Sequence, residues 1–263
     1  MKRAIPFLII LMGLSTLSVK AQKTITLKLN PNKGDNYTVV TKNSTMNLME
    51  VQGQSMTSTQ TIETRQSLTV ADANDNEITF EGKTETMKLT VSQMGMTLTY
   101  DSEHPENTSP MLAGQVEEIS EGLNKTFTSK YNTMGIGISD EADEEEASLG
   151  KASNAILQLS EGPVSVGTTW TSKKSQSLSG IKIEATMNYE VTKISKKAVE
   201  IALNGTVDGD SETSGTYTGT ITINPQTGMI IKSVIKPNIS FTLSEQGLSI
   251  PITMTGTSTI TVE

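Results

Sequence analysis

Hydrophobic and polar residues alternate along most of this chain with the period of two that is typical of β-strands. The clearest stripe holds Ile181, Ile183, Ala185, Met187, Tyr189 and Val191, with polar residues at the positions between them. Shorter stripes of the same kind recur from Ile25 to Val70 and from Val199 to Val262. Because successive side chains of a strand point to opposite faces, these stripes predict sheets with one dry face and one solvated face.

A change of phase interrupts one long stripe. Ile78 and Phe80 are even-numbered, whereas Met87, Leu89 and Val91 are odd-numbered. One extra residue in a strand shifts the alternation in this way, so the pattern predicts a β-bulge. Gly82 lies within the interval and is its predicted site, because glycine inside a strand often marks a bulge.

Helical spacing is confined to two stretches. Ser109-Pro110 is typical of a helix start and precedes apolar residues at helical intervals, which predicts a short helix over 109–123. A run of acidic residues followed by Leu149, Ala152, Ile156 and Leu159 predicts a second helix over 140–159. The predicted class is therefore all-β with minor α: long twisted antiparallel strands that form one or two half-barrel-like sheets.

The same patterns divide the chain into four parts. Residues 1–21 form a leader, 22–139 an N-terminal β-rich half, 140–160 an acidic connector with a helix, and 161–263 a C-terminal β-rich half. The two halves also allow one continuous domain. Residues 33–38 resemble 166–171, and 132–135 resemble 225–228. These echoes leave open a two-fold pseudo-repeat and a chance similarity among hairpins.

The first 21 residues have the features of a cleaved signal peptide. Lys2 and Arg3 precede an apolar run from Ala4 to Leu14, and Val19-Lys20-Ala21 places small residues where a signal peptidase cuts. The apolar run is shorter than the roughly 20 residues that a membrane-spanning helix needs. We therefore expect a periplasmic or secreted protein that begins at Gln22 and does not span the membrane after cleavage.

Net charge and cysteine content limit the kinds of partner and covalent modification that this chain can have. Cleavage would remove three of the 21 basic residues and none of the 29 acidic ones, which leaves a net charge of −11. Such an acidic chain lacks the basic footprint of a nucleic-acid-binding protein. No cysteine is present, so disulfides and a lipid-modified N-terminal cysteine are both excluded.

Several short motifs, taken in order, resemble a family of uncharacterised exported β-rich proteins of Gram-negative bacteria, a domain of unknown function. They are Leu27-Lys28-Leu29, Gly34-Asp35-x-Tyr37, the Met-rich hairpins at 46–56 and 87–96, Tyr100-Asp101-Ser102, Thr133-Met134-Gly135 and Pro163-Val164-x-Val166-Gly167-x-x-Trp170. Family members typically carry Gly-Asp before the tryptophan, whereas this chain has Gly167-Thr168. The resemblance implies the fold class and export, and it supplies no activity and no site residue.

No motif predicts catalysis or a metal site. His104, the single histidine, lies in a short polar segment without the separated partners of a nucleophilic triad. Zinc usually requires cysteine or histidine ligands. The turn Asp208–Glu212 offers oxygen ligands without the spacing of a calcium loop. The acidic residues between Asp140 and Glu146 fit a solvated connector, a basic partner or divalent cations. We predict a non-enzymatic protein without a cofactor.

Methionines are the most unusual feature, and six of them cluster around two predicted hairpins. The candidate ligand-binding residues are Met46, Met49, Met56, Met87, Met94, Met96 and Trp170. Methionines of this kind fill gaps in a core, form an adaptable apolar surface, or bind Cu(I) through their thioethers. Trp170 fits a core anchor beside a turn and also a residue that stacks on a sugar.

Two functional hypotheses follow. The first is an exported envelope protein that binds a hydrophobic ligand or lipid on a Met- and Ile-lined sheet face. The alternative is a structural or assembly protein that docks an envelope protein through its sheet edges or its acidic segment. A hydrolase would need two carboxylates that converge in a cleft.

Overall fold

The structure is a computed structural model. It describes residues 23–51, 53–112, 114, 120, 122–123, 125–138, 155–178, 181–208, 213–245 and 248–263. The predicted signal peptide lies outside these residues, as does the whole acidic run.

Strands dominate the described residues. They are β1 (Ile25–Thr26), β2 (Asn36–Val51), β3 (Gln54–Ala73), β4 (Glu77–Gln93), β5 (Met96–Asp101), β6 (Thr126–Asn132), β7 (Pro163–Val164), β8 (Thr169–Leu178), β9 (Ile181–Ile194), β10 (Val199–Asp208), β11 (Ser214–Ile223), β12 (Ile230–Glu245) and β13 (Leu248–Val262). Two short 3₁₀ turns span Pro105–Asn107 and Pro110–Leu112. The predicted all-β class is confirmed.

One large antiparallel sheet holds eleven of these strands. Its order is β5-β4-β3-β2-β13-β12-β11-β10-β9-β8, and β6 pairs with β4 beside β5. The sheet is open, with β8 at one edge. Pairing between β2 and β13 joins the N-terminal and C-terminal halves, so both halves belong to the same sheet. Strands β1 and β7 form a separate two-stranded ribbon.

The sheet has a dry face and a wet face, here called the inner face and the outer face. Ile183, Ala185, Tyr189 and Val191 are at most 1% exposed on the inner face of β9, as their alternation predicts. The side chain of Ile181 lies outside the described residues. Threonine, serine and charged residues occupy the outer face, where β-branched threonine suits a pleated, solvated surface.

Two segments, residues 27–29 and 155–164, cross the inner face of the sheet and pack against it. We call them the crossing segments. Leu27, Leu157 and Leu159 pack into one cluster with β9–β13, whereas Leu29 and Ile156 pack into a second cluster with β2–β4 and β6. The helix predicted over 140–159 is wrong at its C-terminal end, because residues 156–159 are not helical and Ile156 bridges to Met229. Residues 140–154 lie outside the described residues. Apolar residues are close together in this part of the sequence because Ile156 packs into one cluster, whereas Leu157 and Leu159 pack into the other.

The helix predicted over 109–123 lies partly outside the described residues. Its start is the 3₁₀ turn Pro110–Leu112, and Ser109 does not cap a helix: its hydroxyl oxygen accepts a hydrogen bond from the Thr99 amide at 2.9 Å. Leu112 and Leu123 pack against a third cluster that contains Met87, Leu89 and Tyr100. The predicted apolar spacing therefore serves to cover the edge of the sheet.

The predicted bulge exists in β4, but its position differs from the prediction. Arg65 pairs with Thr86 and Gln66 pairs with Thr84, so Glu85 is the extra residue. Phe80 and Met87 consequently both point to the inner face despite their opposite parity. Gly82 keeps regular pairing and makes room for neighbours, since a Cβ there would lie 2.5 Å from Leu68 Cδ2 and 2.8 Å from Phe127 Cζ.

Two of the sequence echoes are also structural echoes. The Gly34 amide donates to Val70 O at 2.9 Å and the Gly167 amide to Val191 O at 2.7 Å, each before an aromatic-bearing strand. In the other pair, Gly135 and Gly228 have φ values of 72° and 71°. A Cβ at these two positions would strike Leu157 O and Lys28 O, respectively, in the two crossing segments. The two halves thus anchor their crossing segments with equivalent turns.

Candidate functional site

An apolar patch lies on the inner face near the hairpins that join β2 to β3 and β12 to β13. Met49 stands opposite Met56, Leu243 opposite Ile250, and Ile252 lies between Phe241 and Met49. Phe241 and Ile252 are buried, while Met49, Met56, Leu243 and Ile250 are half-buried. We define this apolar patch as Met49, Met56, Phe241, Leu243, Ile250 and Ile252.

The structure separates the six candidate methionines. Met49 and Met56 meet in the apolar patch, whereas Met46 lies on the outer face of β2 and is 46% exposed. Met87 belongs to the buried third cluster. Met94 and Met96 are exposed at the β4–β5 hairpin, where Met94 has a positive φ of 52°.

Trp170 packs as an anchor at the start of β8. Its ring stacks on Tyr189 with 5.1 Å between centroids, and its indole N–H donates to Gln158 O at 2.9 Å. The Tyr189 hydroxyl in turn lies 3.1 Å from the Ser172 hydroxyl, and burial raises the pKa of Tyr189. This arrangement ties the edge strand to the crossing segment 155–164.

One cation lies on the inner-face side of the edge strand β8. Lys174 is in phase with Trp170 and Ser172 on β8 and stands opposite Ala185. Among the inward-facing strand side chains that the structure describes, Lys174 alone carries a charge. Lys174 is exposed to solvent, while the protein atoms around it lower the pKa of its ammonium group by desolvation. A ligand on the inner face would therefore meet one positive charge.

Two open depressions lie on the outer face instead. The first, of about 420 Å³, is lined by hydroxyl-bearing residues and Met46. The second, of about 360 Å³, lies over β8–β10, and its lining includes the candidate Trp170 together with Tyr189, Asn188, Glu190 and Asn204. Both are shallow and polar, and neither contains residues of the apolar patch. They suit water better than a hydrophobic ligand.

The remaining candidates are solvated or outside the described residues. His104 is exposed in a polar loop, with Nδ1 3.4 Å from a carboxylate oxygen of Glu106. The acidic residues between Asp140 and Glu146 lie outside the described residues, and so does most of the turn Asp208–Glu212.

Comparison with known proteins finds that part of the chain matches a family of unknown function. Residues 146–230 match the Family of unknown function (DUF6263), in agreement with the resemblance to an uncharacterised family. No curated protein matches the chain. Among solved structures, an outer membrane channel from Pseudomonas putida F1 is similar at 10% identity and a TM-score of 0.28, over 89% of this chain and 98% of that chain. A likeness at this level carries no argument about function.

The described residues hold no helix with the length and hydropathy needed to span a membrane.

Sequence reasoning found two of the six residues of the apolar patch, Met49 and Met56, and did not find Lys174. Leu243 and Ile250 appear in predicted strands, but only cross-strand register places them beside Met49 and Met56. Lys174 could have been found from its phase, because Trp170, Ser172 and Lys174 alternate with Thr171 and Lys173.

Proposed function

We propose that this protein is a non-enzymatic envelope protein that binds a hydrophobic ligand or lipid on the inner face of its sheet. The observation that supports this proposal is the half-buried state of Met49, Met56, Leu243 and Ile250. The crossing segments cover another part of the inner face, where Leu27, Leu157 and Leu159 pack against β9–β13. Apolar side chains that point inward and keep accessible surface are the part of this face that a ligand can reach.

The chemistry of the patch suits an acyl chain. Methionine is unbranched and flexible, so the Met49–Met56 pair can adapt to ligands of different shape. Apolar surface removed from water contributes roughly 25 cal/mol per Å², and such a ligand needs few polar contacts. The hydroxyl-bearing residues on the outer face do not offer such an adaptable apolar surface.

A pair of charge substitutions on β2 tests the proposal. Met49→Glu places a carboxylate in the apolar patch and should abolish binding of the neutral apolar dye N-phenyl-1-naphthylamine, measured by its fluorescence. Met46→Glu, three residues away on the outer face, should leave dye binding unchanged. Circular dichroism controls for folding. Equal loss in both variants, or no dye binding and no co-purifying lipid in the unmodified protein, would contradict the proposal.

Export is the second part of the proposal and rests on residues 1–21. Expression of the full chain in a Gram-negative host, followed by osmotic-shock fractionation and N-terminal sequencing, should give a protein that begins at Gln22. A cytoplasmic protein that still begins at Met1 would refute export and leave the binding proposal standing.

A structural or assembly role is the alternative, and the edge strand β8 favours it. One side of β8 pairs with β9, and no described strand pairs with its other side. A free strand edge can accept a strand from a partner. Crosslinking in intact envelopes with a photoreactive residue at Ser175 should then capture one stoichiometric protein, whereas a lipid-binding protein would give no such adduct.

A further inference from the structure

A row of charged residues crosses four strands of the sheet at one level. Lys42, Glu63, Lys88 and Asp101 pair in turn across β2, β3, β4 and β5, and all four lie on the outer face. The Lys42 ammonium group lies 3.5 Å from a Glu63 carboxylate oxygen, and the Lys88 ammonium group lies 3.1 Å from one of Asp101. We call these four residues the charge row.

Beyond the charge row, the strands carry almost no charge. Residues 43–62 and 89–100 extend from it into two hairpins and contain one charged residue, Glu50. Residues 237–262, which include all of the neighbouring strand β13, also contain one, Glu245. Six adjacent strands are therefore nearly free of charge over long stretches, and no lysine or arginine occurs in these stretches.

The three hairpins in these stretches project from the same end of the sheet. The register shows this, because Gln93 pairs with Ser58 and Met49 pairs with both Met56 and Ile252. We call this end the hairpin end. Charged residues occupy the opposite end of β2–β4 instead: Lys33, Asp35, Asp72, Asp75 and Glu77. The sheet is thus polarised along its strands, with one charged end and one neutral end.

Accessible apolar side chains lie on both faces of the β2–β3 hairpin. Met46 and Leu48 lie on the outer face and are each 46% exposed. Met49 and Met56 lie on the inner face and are half-buried. A protein partner would cover one face of such a hairpin, whereas a fluid apolar phase reaches both faces at once.

Met94 occupies the first position of the β4–β5 turn under backbone strain. Its φ is 52°, and Gly95 follows with a φ of 79°, the signs of a type I′ turn in which asparagine, aspartate or glycine is usual. Met94 is 74% exposed and Met96 is 55% exposed, so packing within the molecule does not offset this strain. A strained residue of this kind is typical of a functional site.

We propose that the hairpin end docks on a neutral lipid bilayer, with Leu48, Met94 and Met96 at the boundary between head groups and acyl chains. Charged side chains are costly in that layer, and the hairpin end nearly lacks them. The serine and threonine hydroxyls between the tips and the charge row can hydrogen-bond to head groups. None of the three docking residues belongs to the apolar patch, so this proposal does not rest on the proposed function.

The sign of the charge selects the lipid, and the length of the strands limits the depth. The two charges of the hairpin end, Glu50 and Glu245, are both negative, so an anionic membrane surface would repel it. On β4, the five residues from Lys88 to Gln93 span about 17 Å. Interfacial insertion by roughly 5–10 Å therefore leaves the charge row in water.

Vesicle flotation tests the docking. The full chain is expressed in a Gram-negative host and the protein that begins at Gln22 is purified, because an uncleaved leader would itself bind lipid. This protein should float with phosphatidylcholine vesicles. Leu48→Glu, and Met94→Glu combined with Met96→Glu, should each lower the partition coefficient about tenfold or more, the range for burial of one such side chain.

Val166→Glu is the matched control. Val166 is 44% exposed and precedes β8 at the end opposite the hairpin tips, so this variant should float like the unmodified protein. Circular dichroism checks the folding of every variant. Without vesicles, Leu48→Glu should still bind N-phenyl-1-naphthylamine, since Leu48 lies outside the apolar patch. Docking and ligand binding can therefore fail separately.

Three results would overturn the proposal. The first is no flotation of the unmodified protein, or flotation only with vesicles that contain phosphatidylglycerol. The second is an equal loss in Val166→Glu and Leu48→Glu, which would show a general effect of added charge. The third comes from a photoreactive residue at Met96 in intact envelopes: it should label lipid, and a single protein adduct instead would show that the hairpin end is a protein interface.

Discussion

Single residues in this protein act mainly through the face to which they point. Tyr131 illustrates this, because its ring packs edge-on against Phe80 with 6.0 Å between centroids and is 7% exposed. Burial raises the pKa of Tyr131 to about 12. The phenol is therefore held in its neutral form well above the pH at which a solvated tyrosine ionises.

This burial predicts a loss of stability in alkaline solution. Since the unfolded tyrosine ionises near pH 10 and the folded one near 12, the contribution is complete below pH 10 and falls as pH rises toward 12. Urea denaturation between pH 9 and 11.5 should show a falling free energy of unfolding.

Tyr131→Phe is the matched control, and it should have a shallower decline over the same interval. Tyr37, whose pKa is raised to about 12 by burial and by Asp35, should account for part of the remaining slope. Parallel slopes for Tyr131→Phe and the unmodified protein would show that the phenol of Tyr131 ionises normally.

Residue-scale prediction from the sequence was good for burial and poor for the site. Period-two alternation correctly placed Ile183, Tyr189 and Val191 in the core. The methionines were grouped by proximity along the chain, yet Met46 and Met49 point to opposite faces. A side chain's face depends on register and bulges, and its neighbours across the sheet are distant in sequence.

Among the structural elements, the two turns beside the crossing segments depend most strictly on glycine. Gly135 and Gly228 combine left-handed backbone with close approach to Leu157 O and Lys28 O. Gly162 also has a positive φ of 86°, but nothing lies within 4 Å of its would-be Cβ. A comparison of the three positions therefore separates the cost of backbone strain from the cost of steric overlap.

Alanine substitutions should therefore fall into two groups. Gly162→Ala should cost about 1–2 kcal/mol from backbone strain alone. Gly135→Ala and Gly228→Ala should each cost about 3 kcal/mol or more, because overpacking adds to the strain. Chemical denaturation measures all three. Similar values for all three variants would mean that the turns shift away from the crossing segments at little cost.

Element types were easier to predict than element boundaries. Alternation identified the long strands, and the phase change correctly required a bulge in β4. The bulge lies at Glu85 because neighbouring β3 sets the register, which no local pattern records. Residues 156–159 mimic helical spacing since their apolar side chains serve two clusters from one non-helical segment.

At the scale of the whole molecule, one sheet carries both halves of the chain. We therefore expect cooperative unfolding. Trp170 fluorescence reports on the C-terminal half and far-UV circular dichroism on all strands, so their urea transitions should coincide. A circular dichroism transition that persists after Trp170 becomes exposed would show that β2–β6 unfold separately.

The joined sheet was only an open alternative at the sequence level. The halves were separated by an acidic connector, and nothing local shows that β2 selects β13 as its neighbour. The equivalent turns were visible as weak sequence echoes, and their equivalence became clear from shared hydrogen bonds at Gly34 and Gly167.

The neighbour relation between β2 and β13 also has a consequence for biosynthesis. Strand β2 ends at Val51, and its partner begins at Leu248. Until the residues from Leu248 onward have been made and, in an exported chain, translocated, one long edge of the sheet stays unmatched and able to pair with other chains. Newly made molecules are thus most vulnerable to aggregation before their final strand emerges, and a chaperone would have the most to shield at that stage.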